Sequence, residues 1–213
     1  NYQIRRAEDI AWAVARAFYI AKSGRPGPVV LDFTKNAQTA MFEYEPQKVD
    51  FIRSYKPVPQ CEPSVIEKAA QMINESVKPF ILVGQGVELA GAQKQLLDLC
   101  EKAQIPFGQT FLGLSAAPSD HPLNMGRLGM HGNLAPNVMT NQCDLLIAIG
   151  MRFDDRVTGN LKTYAKQAKI IHFEIDPSEI DKNVKVNLAV MGDCKQTLAE
   201  ILPLVDSAKH DSW

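Results

Sequence analysis

Two apolar runs constrain the fold of this chain more than any other feature: Phe80-Ile-Leu-Val83 and Leu145-Leu-Ile-Ala-Ile149. Neither alternates apolar with polar residues, so neither suits a sheet with one solvated face. A strand that is apolar on both faces must be covered on both, as happens in parallel sheets flanked by helices. Residues 105–109, 170–175 and 188–191 read as further strands of this kind. Between them, segments 64–74, 89–103 and 135–142 and a last stretch running to about Leu204 have apolar residues at helical spacing. That alternation predicts an α/β fold, a doubly wound parallel sheet with helices on both sides. Residues 111–133 make a longer connection than such sheets ordinarily use, which predicts a loop with a function.

The first third of the chain reads differently. Residues 7–22 place Ile10, Val14, Ala17 and Phe18 at helical spacing and stop at Ser23-Gly24; residues 28–33 then read as a short strand. Helix plus strand is half of a βαβ unit, and the helix's apolar face lacks an earlier strand to cover. Residues 1–40 are therefore expected to be the last elements of a preceding domain. Residues 41–62, with Pro46, Pro57 and Pro59, have the composition of a semi-rigid linker. The sheet domain is expected over 63–205, with 206–213 as a tail or the start of another linker.

Composition narrows the partners. The 213 residues carry 23 Lys and Arg against 24 Asp and Glu, interspersed, for a net charge of −1. Nothing in that balance favours nucleic acid or an anionic membrane surface. No apolar run approaches the roughly 20 residues of a membrane span, and the start lacks the charged-then-apolar layout of a secretion signal. A soluble, cytoplasmic protein is the expectation. Cys61, Cys100, Cys143 and Cys194 are far apart in sequence, with no Cys-x-x-Cys pair and no His at ligand spacing. Reduced thiols are expected, with no metal site and no disulfide framework.

Three segments carry the chemistry. The first, Gly84-Gln85-Gly86, follows a strand directly, where glycines permit a tight turn and close approach to a ligand. Leu89 stands where the third glycine of a dinucleotide fingerprint would fall, so a plain tight turn explains the motif equally well. The second, Gly150-Met-Arg-Phe-Asp-Asp-Arg-Val-Thr-Gly159, leaves the carboxyl end of a buried strand, where open α/β sheets hold ligands. Arg152, Asp154, Asp155 and Arg156 there are either ligand contacts or a solvated network. The third, His172-Phe-Glu-Ile-Asp-Pro-Ser-Glu179, places Glu174 on the strand face shared by His172 and Asp176. A carboxylate at such a strand end can accept ribose hydroxyls. Asp176 reads as a helix N-cap, with Pro177 at the first helical position and Glu179 completing a capping box. Gly192-Asp193 closes the last strand in the same way.

The string from Gly150 to Gly159 resembles the middle domain of the large catalytic subunit of the acetolactate synthase (acetohydroxyacid synthase) family, thiamine-diphosphate enzymes that also carry FAD. The resemblance runs from Gly24-Arg-Pro-Gly-Pro28 through Thr197, with Gln85 in place of a common glycine and Arg127 where a less polar residue is usual. It implies a Rossmann-like central domain, preceded by a remnant of the pyrimidine-binding domain, with FAD extended across it. The FAD positions it implies are Arg25, Gly84, Gln85, Gly86, Thr110, Phe111, Leu112, Leu128, Gly129, Met130, His131, Gly150, Arg152, Asp154, Arg156, Val157, Glu174, Ile175, Gly192 and Asp193. Arg25 comes from the earlier domain, which implies that the cofactor spans the seam.

In this family Mg²⁺ anchors thiamine diphosphate through a Gly-Asp-Gly segment with an Asn downstream, and a Glu of the first domain activates it. Gly192-Asp193-Cys194 is not that motif, and the Glu would precede Asn1. The expectation is therefore a piece with no catalytic residue and no metal ligand of its own. The parent enzyme would be a homo-oligomer, with a small regulatory subunit as a further partner. Two other readings compete: a stand-alone NAD-dependent deacylase using His131, and a module whose long loop forms a subunit interface.

Overall fold

The computed structural model describes residues 1–208, 210 and 213. Within the expected tail at 206–213, Lys209, Asp211 and Ser212 lie outside the described residues. The chain forms two compact units, 1–58 and 59–213, and the boundary falls within the expected linker.

In the first unit, strand β1 (Tyr2–Ile4) pairs in parallel with β2 (Leu31–Phe33), and helix α1 (Ile10–Lys22) joins them. The expected helix-strand pair is thus a complete strand-helix-strand unit. A strand of three residues carries too little pattern to be read alone. A short helix, α2 (Lys35–Thr39), follows. Ile4, Ala13 and Ala37 form a small core, with Ile10, Leu31 and Phe33 packed against it. Of the helix's expected apolar face, Phe18 is 64% exposed.

The second unit contains helix α3 (Pro63–Asn74), strand β3 (Pro79–Val83), helices α4 (Gln85–Leu89) and α5 (Gln93–Ala103), and strands β4 (Phe107–Gln109) and β5 (Asn124–Arg127). Helix α6 (Leu134–Thr140), strand β6 (Leu145–Ile149), helix α7 (Asp155–Thr158), strands β7 (Lys169–Glu174) and β8 (Leu188–Met191) and helix α8 (Cys194–Ile201) complete it. Two expectations are corrected here. The helix expected over 89–103 is broken, because Gly91 at φ +62° ends the first segment. The long connection is not structureless: it holds a 3-10 helix, Phe111–Ala116, and the edge strand β5.

All strands of the second sheet run parallel in the order β5-β4-β3-β6-β7-β8. The chain begins in the middle, builds to one edge, returns and builds to the other. Alternation along the strands divides the core. Ile81, Val83, Ile147, Ile149, Ile171 and Phe173 face one side, and Phe80, Leu82, Leu146, Ala148 and Ile170 face the other. Helices α3, α5 and α8 cover the first side, each burying residues spaced i, i+3, i+4, i+7: Ile66, Ala69, Ala70, Ile73; Leu96, Leu99, Cys100, Ala103; Cys194, Thr197, Leu198, Ile201. Each large side chain so buried contributes about 1.5–3 kcal/mol.

Candidate functional site: a crevice at the middle of the sheet

Strand order reverses between β3 and β6, so the connections leaving their carboxyl ends diverge and a crevice opens there. Its floor is backbone. Gly84 N–H donates to Ile149 O at 2.9 Å, and Gly86 N–H donates to Gly150 O at 2.9 Å. A Cβ on Gly84 would stand 2.2 Å from Gly150 O, and one on Gly86 would stand 2.6 Å from Gly150 Cα. The Gly-x-Gly motif therefore lets two loops cross in contact. Gly150 also takes φ +56°, a region open to glycine at little cost.

Three more segments converge on this floor. Thr110 N–H bonds Val83 O at 2.9 Å and starts the 3-10 helix that carries Phe111 and Leu112, which are 69% and 56% exposed. Residues 127–131 meet 154–157. Met130 N–H donates to Arg156 O at 2.8 Å, and Arg156 Nη1 lies 3.8 Å from Met130 Sδ. Gly129, at φ +95°, allows this, since a Cβ there would be 2.7 Å from Arg156 O. The Arg127 guanidinium lies 6.0 Å above the Phe111 ring and also bonds the His131 carbonyl. Leu128 is buried, His131 is exposed and Val157 is half-buried.

Asp154 caps α7, its Oδ1 accepting from the amides of Arg156 at 3.1 Å and Val157 at 3.2 Å. Its Oδ2 lies 3.5 Å from Arg152 Nη2, which orients that guanidinium at the rim. At the end of β7, Glu174 is buried, and its Oε1 accepts from the amides of Ile175 at 2.9 Å and Asp176 at 3.1 Å. His172 shares its face, with Nε2 3.6 Å from Glu174 Oε2. Asp176 caps as expected, accepting from Ser178 N–H at 3.0 Å. Its own amide goes to Glu174, while Glu179 accepts from Lys182. Asp193 caps α8, accepting from Lys195 and Gln196 amides at 2.9 and 3.3 Å, and Gly192 N–H bonds Glu174 O. Arg25 belongs to the first unit, in the turn after α1.

Sequence reasoning missed the side chains that hold these loops. Gln109 is 2% exposed. Its Nε2 reaches the carbonyls of Gly113, Leu114 and Ala117 at 3.0, 3.2 and 3.3 Å, and its Oε1 accepts from Asn124 at 2.9 Å. Asn137 bonds both backbone groups of Gly129, and Asn133 Oδ1 accepts from Arg127 N–H. Carboxamides in loops are common, and no local pattern separates these from solvated ones.

The family profile "Thiamine pyrophosphate enzyme, central domain" matches residues 66–201, which hold all of β3 to β8. The chain belongs to this family. Among its relatives, the "Probable acetolactate synthase large subunit" of Methanocaldococcus jannaschii is 46% identical over 206 residues, covering 95% of this chain and 35% of that protein. The acetolactate synthase large subunit of Corynebacterium glutamicum is 41% identical, covering 100% of this chain and 34% of that one. Isozyme 1 of Escherichia coli is 39% identical, covering 100% and 37%. The chain thus spans about a third of the length of these relatives. Benzoylformate decarboxylase from Polynucleobacter necessarius shares the fold, with TM-score 0.76 at 23% identity over 100% of this chain and 39% of that one. Relatives of this kind do not favour the deacylase reading.

Asp193, the acid of the Gly-Asp pair, is engaged as a helix cap. Among the described residues no group of three or more His, Cys, Asp or Glu could hold a metal ion. No helix among the described residues is long and apolar enough to cross a membrane.

Proposed function

We propose that this chain is the FAD-binding central part of an acetolactate synthase large subunit. In the whole enzyme, two pyruvates, or pyruvate and 2-oxobutanoate, condense with loss of CO₂. The observation that carries the reading is the rim of the crevice: exposed Phe111 lies under the Arg127 guanidinium and exposed Met130 against that of Arg156, while Arg152 is paired with Asp154 on the loop that carries Arg156. A flavin dinucleotide needs both kinds of wall, apolar cover for a planar ring and paired donors for diphosphate and carbonyl oxygens. A floor without side chains lets such groups lie close to the backbone.

The residues therefore fit FAD. Arg152 and Arg156 would hold its oxygens, Phe111, Leu112 and Met130 would cover its ring, and Glu174 and Asp193 lie at strand ends suited to its ribose and adenine half. Bound there, FAD supplies a planar ring and a diphosphate around which the domain packs; the condensation balances in atoms and electrons without a net oxidant. Magnesium, a homo-oligomeric assembly, a small regulatory subunit and a cytoplasmic location belong to the same reading of the whole enzyme.

A flavin titration tests it. The chain should bind FAD, and Arg152→Ala should weaken binding by about 1.5–3 kcal/mol, the range for a hydrogen bond to a charged group. Arg152→Lys should recover only part, because an ammonium lacks the planar two-point contact. No binding by the wild-type chain, or equal binding by the Ala variant, would overturn the assignment.

A further inference from the structure

Between Gly150 and Asp154 the backbone alternates. Met151 and Phe153 are 3% and 5% exposed, whereas Arg152 and Asp154 stand at the rim. Each inner carbonyl is held by a side chain from the next strand or the turn beyond it. His172 Nε2 donates to Met151 O at 2.8 Å, and Asn183 Nδ2 donates to Phe153 O at 2.8 Å.

His172 is fully buried on β7, between Ala148 of β6 and Ala189 of β8, whose small side chains leave room for its ring. The ring packs edge-on against Phe153 at 5.1 Å. A carbonyl can only accept, so Nε2 carries a proton. No hydrogen-bond partner reaches Nδ1 among the described residues. An aliphatic side chain would avoid burying an unpartnered nitrogen, and such a group in a native core calls for an explanation. The Nε2 contact supplies one.

We propose that His172 and Asn183 are positioning residues: together they lock residues 151–153 so that the Arg152–Asp154 pair meets its ligand in one orientation. For the ligand's identity this rests on the flavin reading; for the geometry it does not. Two kinds of measurement test it on the chain as it is.

In the first, nitrogen-15 spectra of the imidazole should show the proton of His172 on Nε2, and a proton on Nδ1 instead would overturn the proposal. Amide exchange across 151–154 should quicken in His172→Leu and in Asn183→Ala and return toward wild type in His172→Gln, whose Nε2 donor takes the place of the imidazole's. Unchanged exchange in both loss variants would also overturn it. These readouts stand even if the chain binds no FAD, an outcome that would refute the proposed function alone.

In the second, His172→Leu and Asn183→Ala should each weaken FAD binding about tenfold, the worth of one lost hydrogen bond, with His172→Gln restoring most of it. In an Arg152→Ala background the same substitutions should cost almost nothing, because they act through Arg152. Equal losses in both backgrounds would mean a merely structural role. Should His172→Leu fail to fold, the exposed Asn183 carries the same cycle.

Discussion

Replacing Gly150 with alanine separates the two demands that this glycine meets. Its φ of +56° is close to that of Gly91, +62°. An alanine in this left-handed region costs about 1–2 kcal/mol at either position. Around Gly91 an added Cβ would meet nothing within 4 Å. At Gly150 it would lie 2.7 Å from Gly86 Cα, 2.9 Å from Gly86 C and 3.0 Å from Val87 N, all backbone atoms that cannot rotate aside. The loops would have to part by about an ångström to reach ordinary carbon contact, lengthening the 2.9 Å bond from Gly86 N–H to Gly150 O. Overpacking of this kind costs about 1–3 kcal/mol. Gly150→Ala should therefore lose about 2–5 kcal/mol by the sum of the two ranges and Gly91→Ala about 1–2 kcal/mol. Urea unfolding read by Trp213, which bonds Pro79 O at the start of β3, would measure both in a Trp12→Phe background. Equal losses for the two variants would refute the claim that loop crossing is what the Gly-x-Gly motif serves.

Burial pushes the thiols of Cys143 and Cys194 up to about 12 from 9.0, and that of Cys100 higher still. Folded-state values above unfolded ones stabilise fully below pH 9, and that stability drains as pH rises from 9 toward 12, by up to about 1.4 kcal/mol per pH unit for each thiol. Urea midpoints that stay constant through that window would contradict this assignment. Gln109→Ala should cost about 1–3 kcal/mol, because it strands the buried carbonyls of Gly113 and Ala117; amide exchange should quicken across 111–116, and unchanged exchange would remove Gln109 from its role. Chymotrypsin should cut first at Tyr44 or Phe51, 67% and 70% exposed, and a first cut within 80–109 would contradict the boundary drawn near residue 58.

What the sequence disclosed depended on whether the cause was local. Strand 145–149 is found where its apolar run places it, since burial on both faces writes a continuous pattern; the edge strand 188–191 is found there too, although only Val190 in it is buried. Strand β5, Asn-Met-Gly-Arg, has no such run; it exists because β4 offers an edge and Asn124 bonds Gln109. Gly91 was visible as a residue, but only its φ of +62° shows that it stops a helix. In the site, the contiguous strings 84–86 and 150–157 could be read as loops at strand ends. The side chains that hold them, Gln109, Asn137, His172 and Asn183, act across gaps in sequence that leave no periodic trace.

Because the crevice floor is made of Gly84, Gly86 and Gly150 pressed backbone to backbone, no side-chain replacement can deepen it, and almost any added carbon wedges the loops apart. Under the flavin reading, selectivity is then written on the rim. Phe111, Leu112 and Met130 project from loops whose anchors are carboxamides and backbone amides elsewhere, so they can change size or polarity while the anchors stay put. Under the flavin reading proposed above, re-engineering this domain for a smaller or differently charged dinucleotide would be a problem of these rim positions over a base of three glycines, and libraries that leave the glycines untouched should retain the fold at high frequency.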